Sequence, residues 1–261
     1  MNKFSDLLWT RNGLVYFKYP RLAIHNELKN CVFSRNGGVS APPFDSLNSS
    51  YSVGDDPKNV TENLNNIKRE IGARKLIFMD QVHGTNIAEI WNDKFGDLEE
   101  ISETDALISR TPGIALMVKQ ADCQGVILFD TKNSAFGVVH CGWRGNVQNI
   151  LGRVVNLMAR EFGSKGSDII GAIGPSLGPC CGEFVDHKRI FPGDFEDFMI
   201  GENHFDLWSL SAHQLMEAGV KESNIEIAGI CTQCCTDLFY SYRGEGNTGR
   251  FATVAMLRKG M

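Results

Sequence analysis

Four short apolar runs crowd between residues 106 and 139: Ala106 to Ser109, Ile114 to Val118, Val126 to Phe129 and Phe136 to Val139. Each is too brief for a helix and is bounded by turn-forming residues, so the four read as closely spaced strands. Thr131 to Ser134 would turn the third strand into the fourth. From Asn146 to Phe162 the period changes: Val147, Ile150, Leu151, Val154, Leu157 and Met158 recur at helical spacing, and Gly163 supplies the stop.

The flanking segments carry the same mixture. Residues 13–19 and Cys31 to Ser34 read as strands, followed by a long Gly-, Pro- and Ser-rich loop over 34–48. Asp56-Pro57 starts a helix with the stripe Val60, Leu64, Ile67 and Ile71, ended by Gly72. Lys75 to Met79 and Asn86 to Trp91 are strands. Asp93 to Glu103 reads as an acidic solvated loop. Ile169 to Ile173, Ile225 to Ile230 and Phe251 to Leu257 are further strands. Lys188 to Met199 reads as a helix despite Pro192, and Leu207 to Ala218 as another. Many short strands with helices between them predict one α+β domain over residues 1–261, not a regular βαβ array.

The chain has 261 residues, 43% of them apolar and 22% charged, enough for a core without staples. A net charge of −5 lacks the basic stripe of a nucleic-acid binder. Asp6 and Arg11 interrupt any leader-like apolar run, and no later run is long enough to span a membrane, so the expected location is cytoplasmic. In that compartment the eight cysteines are expected as thiols or ligands rather than a disulfide framework.

Chemistry concentrates in Ala121 to Gly145. Cys123 opens one apolar run and His140 closes the next, so paired strands would bring both side chains to one end of a sheet. His83, in the upstream Gln81-Val82-His83-Gly84, is the natural third partner. Two imidazoles and a thiolate suit Zn2+ with an open position. Cys123 acting as a nucleophile with His140 as its base suits the same residues. So does Cu2+ with Met79 or Met117 as an axial ligand. Next to His140, the turn Gly142-Trp143-Arg144-Gly145 leads into a helix and offers free N–H groups and a guanidinium to an anion such as phosphate. Arg35 and Asn48, in the loop with Gly37 and Gly38, could bind a polar ligand. Cys180-Cys181 and Cys231-x-x-Cys234-Cys235 invite a second zinc or redox site; a closed zinc site would need partners distant in sequence, and these cysteines are taken as structural or incidental.

Taken in order, FSRNGGVSAPPFDSLN, VGDDPKNVTEN, QVHG, TDALIS, ADC, GVVHCGWRG, IGPSLGPCCGEF and CTQCCTDLFYSYRGEGNTGR resemble the YfiH-like laccase-domain family, also called polyphenol oxidases and described as purine nucleoside phosphorylases. The resemblance implies mixed β-sheets packed together with helices on the outside, related to the toxin deamidase fold. It implies a metal, usually zinc, on His83, Cys123 and His140, and a substrate pocket lined by Arg35, Asn48 and Arg144; Gln81, two residues before His83, is expected to bind substrate as well. With phosphate at Gly142, Arg144 and Gly145, the expected activity is phosphorolysis of adenosine, inosine or methylthioadenosine, with adenosine deamination by zinc-deaminase logic beside it. Copper-dependent phenol oxidation, a Cys/His amidase in peptidoglycan-precursor editing and non-catalytic metal binding are the alternatives. Gln124-Gly125 and Gly182 depart from the family pattern, which has Pro after ADC and an aromatic residue after the Cys pair.

Overall fold

A computed structural model describes residues 8–91 and 94–259 and arranges the strands in two sheets and a small hairpin. The first sheet runs in the order β1 (Leu8–Arg11), β2 (Leu14–Phe17), β3 (Leu28–Phe33), β15 (Phe251–Leu257), β8 (Ile114–Gln120), β4 (Lys75–Met79), β6 (Leu98–Ile101). The second runs β14 (Ile225–Ile227), β11 (Ile169–Ile173), β9 (Gln124–Asp130), β10 (Ala135–Cys141), β7 (Ala106–Ser109), β5 (Ile87–Ile90). β12 (Met199–Gly201) and β13 (His204–Phe205) form the hairpin. Both large sheets are mixed: β4 is parallel to β6 and β8, β5 to β7 and β11 to β14, whereas β9 and β10 are antiparallel.

The central strands are apolar at successive positions because each of their faces is covered. In β9, Ile127 and Phe129 join the core between the sheets, while Val126 and Leu128 turn outward under helices. In β8, Leu116 and Val118 face the inter-sheet core, and Ala115 and Met117 face the opposite way. Helix α2 (Pro57–Ile71) covers the outer face of the first sheet with Val60, Leu64, Ile67 and Ile71. Asp56 caps it by accepting the Lys58 N–H, and Gly72 ends it at φ 70°. Helices α4 (Ile150–Phe162) and α6 (Leu207–Glu217) cover the second sheet. The short helices α1 (Pro20–Ala23), α3 (Trp143–Val147), α5 (His187–Ile190) and α7 (Tyr242–Glu245) complete the set. The result is a helix–sheet–sheet–helix stack, the expected packed sheets with helices outside.

Several local expectations give way. The acidic segment after Asp93, which itself lies outside the described residues like Asp6, is not all loop. Leu98 to Ile101 pairs with β4 as an edge strand, where Glu99 and Glu100 tolerate solvent. The helix expected over 146–162 is two helices: Asn149 sits at φ 51° and caps α4 by accepting the Gly152 N–H. The helix over 188–199 is one turn ending before Pro192, then a 3-10 segment over Gly193–Phe198 and an edge strand. Ile225 to Ile230 pairs only as far as Ile227. Among the described residues, no helix is long and apolar enough to cross a membrane.

Candidate active site

β4, β8 and β10 all end at one edge of the stack, and three turns there carry the metal-ligand types. His83 follows β4, Cys123 lies between β8 and β9, and His140 is the penultimate residue of β10, opposite Gly125. The Cys123 Sγ lies 3.9 Å from His83 Nε2, and the two imidazole rings are 4.9 Å apart at an interplanar angle of 79°. The three ligand atoms lie within 4.8 Å of one another. His140 is buried and Cys123 half-buried.

Each ligand-bearing turn is pinned by one aspartate. The fully buried Asp105 accepts the N–H groups of Val82 (3.3 Å), His83 (3.0 Å) and Gly84 (2.7 Å), which holds His83 at its left-handed φ of 59°. The same carboxylate lies 2.8 Å from His140 Nδ1. That contact fixes the ring and leaves Nε2 facing Cys123, the outer-shell arrangement usual behind a metal-ligating histidine. Asp122, at φ 83°, accepts hydroxyl bonds from Thr232 and Ser241 at 2.7 Å and the Arg243 N–H at 2.6 Å. Both aspartates lie in motifs of the family resemblance, TDALIS and ADC, but the motifs do not reveal their roles, since their partners lie on other strands and loops.

Electrostatics favour the ionised thiol. Burial opposes charge on Cys123, but His140 and His83 outweigh it and bring the thiol down to about 6. Burial likewise opposes charge on His140, yet Cys123 and Asp105 raise it to about 9. Hydrogen bonds to His140 and the backbone hold Asp105 low against the burial that would raise it. Both shifts run in the direction of an imidazolium–thiolate pair, and a cation can take the place of its proton.

The donor set fits a single soft or borderline ion: one thiolate, two imidazoles and an open side. Gly142 makes the space. A Cβ there would stand 2.7 Å from Cys123 Sγ and 3.5 Å from His83 Cδ2. Met79 and Met117 are buried on opposite faces of the first sheet, so they do not complete a copper site.

The triad forms one wall of a cavity of about 480 Å³. Gln81, Gly142, Trp143 and Arg144 line it, although both ends of the Gln81 amide are engaged with the Lys119 backbone. Arg144 stacks on Trp143, its Cζ 4.5 Å from the ring centroid. Sequence reading missed Lys119, Arg243, Arg250, Ser50 and Ser52, which also reach the cavity. Among the described residues no carboxylate pairs with the guanidinium of Arg144, Arg243 or Arg250.

Three expected ligands stand elsewhere. Arg35 is buried behind the wall, donating to Asp45 O, Thr236 O and Glu245 Oε1 and stacked on Tyr240, so its charge is already satisfied. Asn48 is fully buried; it accepts the N–H groups of Ser50 and Arg250 and thereby holds the cavity's Arg250 in place. Gly145 packs inside α3 against Ile150 and Cys141. Because α3 is a separate five-residue helix, the turn at 142–145 also lacks the long dipole expected of it. At the departing positions, Gln124 binds Leu207 O and Ser211, and a side chain at Gly182 would stand 2.7 Å from Phe205 O.

Residues 29–258 match the family model described as multi-copper polyphenol oxidoreductase laccase. A purine nucleoside phosphorylase of Bacteroides thetaiotaomicron is 30% identical over 258 residues, covering 92% of this chain and 96% of the relative. One of Pseudomonas aeruginosa is 32% identical over 241 residues, covering 89% and 94%. In structure the chain is similar to the YfiH protein of Bacillus licheniformis, with a TM-score of 0.85, 27% identity and coverage of 95% and 97%. It is equally similar to YlmD of Geobacillus stearothermophilus, with a TM-score of 0.85, 27% identity and coverage of 97% and 99%. With residues 29–258 matched by the family model and most of its length covered by these proteins in sequence and structure, the chain belongs to the YfiH-like laccase-domain family.

Proposed function

We propose that the chain is a metal-dependent purine nucleoside phosphorylase acting in one catalytic domain over residues 1–261. The observation that carries this reading is the cavity itself: a cation-competent triad on one wall and the guanidinium groups of Arg144, Arg243 and Arg250, which have no carboxylate partner among the described residues. Its volume is in the range of small-ligand sites, and Trp143, Phe184, Leu177 and Tyr242 offer it aromatic and apolar surface. The relatives named purine nucleoside phosphorylase support the substrate class.

In this reading the purine rests on the apolar side, and Arg243 and Arg250, with Arg144, hold phosphate and offset its charge as it approaches the anomeric carbon. Gly142 admits the substrate close to the ligands without a side chain in the way. A zinc ion on His83, Cys123 and His140 would supply Lewis acidity and concentrated positive charge. Asp105 holds the His83 backbone and the His140 ring in place.

Among the described residues, His83 and His140 alone bring imidazole to the cavity, so its ligands suit one ion rather than a group of coppers. A second reading has its own observation: Asp105, His140 and Cys123 are linked in the order of a Cys–His–Asp catalytic unit, which suits an amidase. Incubation with inosine or adenosine, with and without phosphate, separates the readings. Phosphate-dependent release of the base supports phosphorolysis. Phosphate-independent conversion of adenosine to inosine would make the protein a deaminase, and no turnover of nucleosides by the metal-loaded chain would defeat the proposal.

A further inference from the structure

Away from the triad, the described residues bring together one more set of soft ligands. The Sγ atoms of Cys180, Cys181, Cys231 and Cys234 all lie within 4.8 Å of one another. They come from two loops distant in sequence that are fastened in register. Ser176 bridges Cys231 in parallel fashion, the Ser176 N–H donates to Ile230 O at 3.1 Å, and the Thr232 N–H donates to Ser176 O at 3.0 Å. Gly178 allows the approach, because a Cβ there would stand 2.9 Å from Cys231 Cβ.

The spacing identifies what the sulfurs suit. Cys234 Sγ lies 3.6 Å from Cys180 Sγ and 3.6 Å from Cys181 Sγ. A disulfide needs about 2.05 Å. Four thiolates at about 2.3 Å from a tetrahedral ion stand about 3.8 Å apart, the edge of that tetrahedron. The Gly178 N–H points at Cys231 Sγ from 3.3 Å, a donor that suits a sulfur carrying negative charge. Cys180 and Cys234 are exposed, which gives an ion a way in. Cys235, next in sequence, stands outside the set and packs against the inter-sheet core.

We propose that Cys180, Cys181, Cys231 and Cys234 bind one tetrahedral zinc ion, separate from the triad. With four protein ligands the site is closed to substrate, so its role is structural. It clasps the loop that gives Ser176, Leu177 and Phe184 to the cavity onto the segment that leads to Tyr242 and Arg243. The sequence hides the site because a C-x-x-C on one loop finds an adjacent pair, not a second C-x-x-C, on the other.

The test is zinc per chain in protein purified without chelator, compared among the native chain, Cys234→Ser and His140→Ala. Cys234→Ser is expected to carry one equivalent fewer than the native chain, and His140→Ala to retain that equivalent, whether or not the triad is loaded. Equal zinc in native protein and Cys234→Ser overturns the proposal, as does an intact mass showing a disulfide among these four cysteines in the unreduced native chain. Should Cys234→Ser fail to fold, cobalt titration of the zinc-stripped His140→Ala chain decides. Strong visible absorption typical of tetrahedral thiolate-bound cobalt supports the clasp, and its absence overturns it.

Discussion

Alanine at Gly142 is the sharpest perturbation of the triad that leaves the backbone alone. Gly142 has φ −87° and ψ −178°, ordinary extended geometry that alanine adopts without strain. The added methyl would stand 2.7 Å from Cys123 Sγ, about 1 Å inside normal van der Waals contact. Cys123 cannot retreat freely, since its turn is tied through Asp122 to Thr232, Ser241 and Arg243. Overpacking of this kind costs about 1–3 kcal/mol. If that cost falls on the ligand geometry, zinc affinity drops roughly 5- to 150-fold. Competition titration with a chromophoric chelator measures the loss, and circular dichroism of the metal-free chain checks that the fold persists. Unchanged zinc affinity in a folded Gly142→Ala chain would refute the argument that Gly142 makes room for the ligand set.

Asp105→Asn removes the charge behind His140 and should lower zinc affinity about 10- to 100-fold, read by the same titration. Arg243→Ala and Arg250→Ala should each raise KM for phosphate about tenfold or more while moving KM for nucleoside less, since each removes a charge-assisted contact worth about 1.5–3 kcal/mol; steady-state kinetics in both substrates check this. Asp130 gives a pH test remote from the site. Burial would raise its carboxyl, but the N–H groups of Lys132 and Asn133 and the Asn133 amide bind it and hold it below its usual value. A lowered folded-state value means that Asp130 stabilises the fold above the normal carboxylate range and loses that contribution as pH falls through the folded value. Thermal melts from pH 7 toward pH 3 should therefore fall less steeply for Asp130→Asn than for the native chain.

Strands covered on both faces were the most legible part of the chain, because unbroken apolar runs such as Val126 to Phe129 survive any choice of neighbour. The capped helix at Asp56-Pro57 was equally plain. What failed was set by tertiary contacts. Leu98 to Ile101 holds too few apolar residues to announce a strand until β4 offers it an edge, and the apolar period from Val147 to Ile150 runs on across the break that Asn149 makes. At the site, ligand types were readable in His83, Cys123 and His140, whereas the residues that aim them were not. Asp105 resembles any polar residue before a strand, and its role depends on four partners from two segments, the turn at Val82 to Gly84 and His140. Arg35 misled for the opposite reason: a guanidinium in a Gly-rich loop suggests a ligand contact, but Glu245 and Tyr240, far along the chain, claim it first.

Zinc-loaded native protein incubated with inosine and inorganic phosphate, followed by phosphorus NMR, tests the central claim most directly. One equivalent of ribose 1-phosphate for each hypoxanthine, lost in the His140→Ala chain, is the predicted result. Hypoxanthine appearing with free ribose and no new phosphate ester, or no hypoxanthine at all, would contradict it.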